Sequence, residues 1–142
     1  MAEPPSEPSP PVIVLLAEDE EPLRTLVARV LWAQGYRTLE ARDGAEALHL
    51  ARLSLPHLDL VITDVVMPTM DGRELGRRLA RECPELPVLY ISGYVTGDVF
   101  HRDGPGGPSH FLQKPFSNDE LLESVNGLLA ASPRRGRRTL AS

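Results

Sequence analysis

At 142 residues the chain is long enough for one domain with a sizeable core and too short to hold a second folded unit of ordinary size beside it. A net charge of -5 argues against a general nucleic-acid binder, and no run approaches the ~20 apolar residues of a membrane span. The amino terminus, Met1-Ala2-Glu3-Pro4-Pro5, lacks the basic-then-apolar layout of a signal peptide, so the expectation is a soluble cytoplasmic protein. The single Cys83 cannot form an internal disulfide and, before Pro84 at a helix end, is read as inert. His49, His57, His101 and His110 show no metal-ligand spacing.

Residues 1–11 are proline-rich and polar and are expected to be a disordered leader. The first strand is Val12 to Ala17. After the acidic group Glu18-Asp19-Glu20-Glu21, Pro22 suits a first helical turn, and Leu23, Leu26, Val27, Val30 and Leu31 recur at helical spacing until Gly35 stops the helix. Tyr36 to Ala41 reads as a second strand. Asp43 with Glu46 gives an acidic form of the capping box, opening a helix through Ala45, Leu48 and Ala51. A third strand, Leu58 to Ile62, delivers Asp64 at its carboxyl end and breaks into a loop closed by Pro68 and Asp71-Gly72. Asp71 and Glu74 repeat the helix-start signal. Leu75 and Leu79 of that helix face inward, and Arg73, Arg77, Arg78 and Arg81 form a solvated face.

Pro87 to Ile91 is the fourth strand, ending in Ser92-Gly93-Tyr94. Residues 95–108 hold either a short helix near Asp98 to Arg102 or a plain loop, with turn chemistry from Asp103 to Pro108 that makes a weak phosphate-loop candidate. His110 to Gln113 is the fifth strand. Ser117 and Glu120 form a capping box, Phe116 and Leu121 a hydrophobic staple, and Leu121, Leu122, Val125, Leu128 and Leu129 a buried stripe. The basic run Arg134 to Arg138 lies in a tail, residues 132–142, read as flexible and solvated. Strands alternating with helices define an α/β class, with parallel strands joined by right-handed crossovers. The first and third strands are mostly apolar rather than alternating, as strands covered on both faces should be.

Open parallel sheets bind ligands beyond the carboxyl ends of their strands. A lone aspartate there is more often a loop or helix cap, but Asp64 has company. If the first and third strands are neighbours, Asp19 and Asp64 converge with Glu18 beside them, and such carboxylates repel unless a cation or a proton joins them. Ser92 follows the fourth strand and Lys114-Pro115 the fifth.

This ordered set, with the Met67-Pro68 and Asp71-Gly72 loop, resembles the receiver domain of bacterial two-component response regulators over roughly Val12 to Leu129, with the domain taken as residues 12–131. The resemblance implies a flavodoxin-like doubly wound sheet of five parallel strands, order 2-1-3-4-5, with five helices. It implies that Asp64 accepts a phosphoryl group from a histidine kinase or histidine phosphotransfer protein. Mg²⁺ would be held by Asp19, by Glu18 through water, by Asp64 and by the Val66 backbone carbonyl. Lys114 would pair with Asp64 and then with the phosphoryl oxygens, and Ser92 would turn its hydroxyl toward them. A cis Lys114-Pro115 bond is implied; a surface lysine before a trans proline is the plain alternative.

Phe111 falls at the family's aromatic switch position and is equally a core or edge packing residue. Together with Ser92 it would reshape the surface of the fourth helix, fifth strand and fifth helix, which would bind a downstream protein or a second copy of the chain. The resemblance places Val66 and Tyr94 at the positions that tune phosphoryl lifetime in the family, and their side chains would then imply slow self-dephosphorylation. No activity beyond self-phosphorylation and self-dephosphorylation is implied, nor any DNA-binding or membrane segment.

Three alternatives stand beside this reading. A haloacid-dehalogenase-like phosphatase would need an acid two residues after its nucleophile, where this chain has Val66. A degenerate receiver acting only as a binding module would lack one of the site residues, all of which are present. With no output domain following Leu129, the chain reads either as a single-domain regulator that signals by binding a partner or, as the third alternative, as the receiver segment of a hybrid histidine kinase.

Overall fold

The computed structural model describes residues 10–93 and 108–133. Its elements run β1 (Ile13–Ala17), α1 (Glu21–Ala33), β2 (Arg37–Ala41), α2 (Gly44–Ser54), β3 (Leu60–Asp64), α3 (Gly72–Glu82), β4 (Val88–Ser92), β5 (Ser109–Gln113) and α4 (Asn118–Ala131). All adjacent strands are parallel, in the order β2-β1-β3-β4-β5. The direction in which successive strands are added to the sheet reverses between β1 and β3, so their carboxyl ends open onto the crevice where such sheets place ligands.

Strand alternation divides the apolar residues into two cores. Leu15 and Ala17 of β1 pack with Leu48 of α2, Leu75 and Leu79 of α3, Val61 and Tyr90 on one side of the sheet. Val14 and Leu16 pack with Val27 and Leu31 of α1, Ile62, Leu89, and Leu121 and Val125 of α4 on the other. All five residues of β3 are buried, which accounts for its near-continuous apolar sequence.

Helix ends follow local chemistry. α1 closes with Gly35 at φ 83°, with Gly35 N–H donating to the Trp32 carbonyl and Tyr36 N–H to the Leu31 carbonyl. That pair of bonds is a Schellman closure and satisfies carbonyls the helix itself leaves open. At α4 the Ser117 hydroxyl accepts from Glu120 N–H, and the Glu120 carboxylate accepts from Ser117 N–H, each at 3.0 Å, completing the expected box.

Several details differ from the sequence reading. Asp43 and Asp71 cap their helices by accepting from Glu46 and Glu74 N–H, but neither glutamate returns the bond. Glu46 reaches Arg42 N–H instead, and Glu74 is held by Arg77 and Arg78. Leu26 does not share the core face of α1 and is 50% exposed; Ala28 and Arg24 take buried positions beside Val27 and Leu31. β3 begins two residues later than expected and runs through Asp64, because Thr63 and Asp64 still pair with Tyr90 and Ile91 of β4. Four helices lie among the described residues; the short helix considered near 98–102 and the 103–108 turn run fall outside them, except Pro108. The same holds for most of the 1–11 leader and of the basic tail.

Candidate functional site

Four strands end at one edge of the sheet and each contributes a side chain there. Glu18 follows β1 and is buried, its N–H donating to the Ala41 carbonyl of β2 at 3.0 Å. Asp64 closes β3 and is 6% exposed, Ser92 closes β4 and is buried, and Lys114 follows β5. The Lys114-Pro115 bond is cis, and Lys114 N–H donates to the Ser92 carbonyl at 2.9 Å. Its ammonium donates to Asp64 Oδ2 at 2.8 Å and to Glu18 Oε1 at 3.4 Å.

The loop after Asp64 is tied down at both ends. Val66 N–H donates to Asp64 Oδ1 at 3.3 Å, and Gly72 N–H donates to the Val65 carbonyl at 2.8 Å. Thr69 holds a left-handed φ of 67°, costly for a β-branched residue, and its hydroxyl accepts from Ala45 N–H at 3.1 Å. That bond satisfies one of the open N–H groups in the first turn of α2 and fastens the loop to it.

The carboxylate oxygens of Glu18, Asp19 and Asp64 lie within 4.8 Å of one another. Burial pushes the Glu18 carboxyl up, the Glu20 N–H bonded to it opposes this, and the Asp64 charge raises it further, to about 7. For Lys114, burial alone would lower the ammonium, but the hydrogen bond and charge of Asp64, with those of Glu18, outweigh it and hold the group above its ordinary value. Three oxygen donors converging on one point, with one of them forced toward its neutral form, suit a hard divalent cation, which would relieve the same repulsion.

The structure therefore brings together Glu18, Asp19, Asp64 and Lys114, with the backbone of Val66 against the Asp64 carboxylate and Ser92 at the adjoining strand end. Phe111 is half-buried on β5, packed against the core that contains Tyr90. Val66 is 68% exposed, and Tyr94 lies outside the described residues. Sequence reasoning missed Arg24. Its side chain, 11% exposed, donates from Nη1 to the Glu18 carbonyl at 2.9 Å and sets Nε 3.3 Å from Glu40 Oε1. The overlooked signal is a cation in the first turn of α1, where the helix dipole disfavours positive charge.

A doubly wound parallel sheet of order β2-β1-β3-β4-β5, with an acidic cluster and a lysine at its carboxyl edge, places the chain in the flavodoxin-like class of α/β domains. Residues 14–126 match the response regulator receiver domain, and the chain belongs to that family. The sensor kinase CckA of Brucella abortus (strain 2308) is 40% identical over 117 residues, which are 82% of this chain but 12% of that protein. The response regulator receiver protein CpdR of the same organism is 32% identical over 119 residues, 84% of this chain and 98% of CpdR. The crystal structure of the receiver domain of the hybrid histidine kinase CckA matches with a TM-score of 0.70 at 39% identity, covering 82% of this chain and 98% of that one. Chemotaxis protein CheY4 of Vibrio cholerae matches with a TM-score of 0.77 at 28% identity, covering 84% and 100%. No helix among the described residues is long and apolar enough to cross a membrane.

Proposed function

We propose that this receiver domain is a phosphoacceptor in two-component signalling, with Asp64 as the acceptor. The observation that carries the reading is the convergence on Asp64 of one ammonium, 2.8 Å away, and two further carboxylates at the open edge of the sheet. An Asp64 oxygen attacks the phosphorus of a phosphohistidine; the P–O bond forms as the P–N bond breaks, and the imidazole leaves with the electron pair. Lys114 holds the carboxylate in place beforehand and then meets the phosphoryl oxygens as charge accumulates on them. Asp19, Asp64, the Val66 carbonyl and, through water, Glu18 would hold Mg²⁺, which supplies positive charge against the transferring group. Ser92, buried at the end of β4, turns its hydroxyl toward the phosphoryl group, and Phe111 turns inward in response, coupling the site to the β5 surface.

On this reading residues 12–131 form the working domain, flanked by a leader at 1–11 and a basic tail at 132–142. The chain acts in the cytoplasm, takes its phosphoryl group from a histidine kinase or histidine phosphotransfer protein, and signals through a protein partner. Its own chemistry is limited to gaining and losing that group. Similarity to CckA, of which the chain spans 12%, supports a second setting as a receiver segment of a hybrid kinase, whereas CpdR is matched over 98% of its length. The test is incubation with acetyl phosphate and Mg²⁺ followed by intact mass. The parent should gain one phosphoryl group and Asp64→Asn should not; equal rates in the two would overturn the assignment.

A further inference from the structure

We infer that Arg24 is a positioning residue for divalent-cation binding, acting through the peptide that joins Glu18 to Asp19; the inference rests on the metal reading above. A guanidinium in the first turn of α1 is disfavoured by the helix dipole, and burying it adds a desolvation penalty. It keeps that position with both ends engaged. Nη1 donates to the Glu18 carbonyl at 2.9 Å in a buried contact, and Nε pairs at 3.3 Å with Glu40 on the edge strand β2. The Glu18 carbonyl belongs to the peptide plane from which Asp19 projects, so the guanidinium sets the orientation of that carboxylate.

The surrounding bonds show how much of the turn is already fixed. Glu18 N–H is held by the Ala41 carbonyl, Glu18 Oε2 accepts from Glu20 N–H at 3.2 Å, and Arg24 N–H donates to the Glu20 carbonyl at 2.9 Å. Arg24 adds a hold on the remaining side, between the two acids. Mg²⁺ demands near-ideal octahedral geometry, so a turn free to rotate would lose more affinity than its unchanged ligands suggest.

Charge and geometry predict opposite signs, which makes the inference testable. As a bare positive charge near the cluster Arg24 repels a cation, so neutralising it would tighten binding. As a positioning residue it strengthens binding, so removing it weakens binding. The guanidinium fork spans the Glu18 carbonyl and Glu40 together; an ammonium presents one nitrogen and cannot reproduce both contacts.

The experiment is calorimetric titration of the full chain with MgCl₂, for the parent, Arg24→Met and Arg24→Lys, well below each protein's melting temperature in EDTA. A merely structural role would lower that melting temperature and leave the Mg²⁺ affinity of the folded protein unchanged. Loss of such a supporting contact should weaken Mg²⁺ binding about tenfold or more in both variants. Unchanged or tighter binding in the folded variants would overturn the inference; if Arg24→Met does not fold, Arg24→Lys decides. A parent that binds no Mg²⁺ would defeat the metal reading itself, and the inference with it, before any variant is compared.

Discussion

Val66 lies two residues beyond the proposed acceptor, with its backbone N–H on Asp64 Oδ1 and its side chain 68% exposed. An isopropyl group at that place cannot accept or donate a hydrogen bond, so nothing on it orients a water behind the phosphorus. Val66→Asn supplies such a group and should speed phosphoryl loss from Asp64 roughly tenfold by aligning the attacking water. Decay of the phosphoprotein after donor removal in Mg²⁺ measures it, and equal or slower decay would remove Val66 from any part in lifetime. At this scale the sequence was informative where a residue type and a strand end coincided. Glu18 and Asp64 each follow a mostly apolar strand, and their meeting was legible once the first and third strands were taken as neighbours, whereas the pairing of Lys114 with Asp64 was implied by the resemblance to receiver domains. Arg24 was not legible, because its partners are a backbone carbonyl and a glutamate on another element, and neither leaves a mark in local spacing.

Elements among the described residues were readable to within two residues, and the errors have a common origin. β3 runs to Asp64 because β4 continues to pair with it, a non-local cause that hydrophobic runs do not record. Glu46 and Glu74 sit at capping-box spacing, yet nearby donors, Arg42 N–H for one and two arginine side chains for the other, compete for them. Gly76 likewise looks like an idle position within α3, although it is where that helix rests on β4. A Cβ at Gly76 would overlap the Tyr90 hydroxyl. Gly76→Ala therefore sets a helix-propensity gain of about 1 kcal/mol against overpacking of about 1–3 kcal/mol. We expect net destabilisation of up to about 2 kcal/mol in urea unfolding, shrinking when Tyr90→Phe removes the obstructing oxygen. A neutral or stabilising effect of Gly76→Ala alone would show that the phenol moves aside freely.

For the molecule as a whole, the same phenol makes stability depend on alkaline pH. Burial raises the Tyr90 hydroxyl from 10.0 to about 12, against smaller lowering effects from Arg77 and Arg73. Between those values the unfolded chain has released the proton and the folded one retains it, so stability declines as pH rises through this window and is unaffected by this group below it. The loss by pH 12 should be about 2–3 kcal/mol from this residue, read as the part of the slope that Tyr90→Phe abolishes in denaturant titrations across pH 9–12. Identical slopes in parent and variant would contradict it.

The site also depends on the complete sheet. Lys114 meets Asp64 across 50 positions and Glu18 across 96, and it comes from the last strand in the chain order. Contacts of such separation form only after the intervening chain has collapsed around them. A chain emerging from the ribosome exposes Glu18, Asp19 and Asp64 long before Lys114 is synthesised. On the proposed reading of Asp64, a nascent or half-assembled sheet carries the acceptor without the ammonium that manages its charge. On that reading the acceptor site is complete only when translation has passed β5 and that strand has docked against β4.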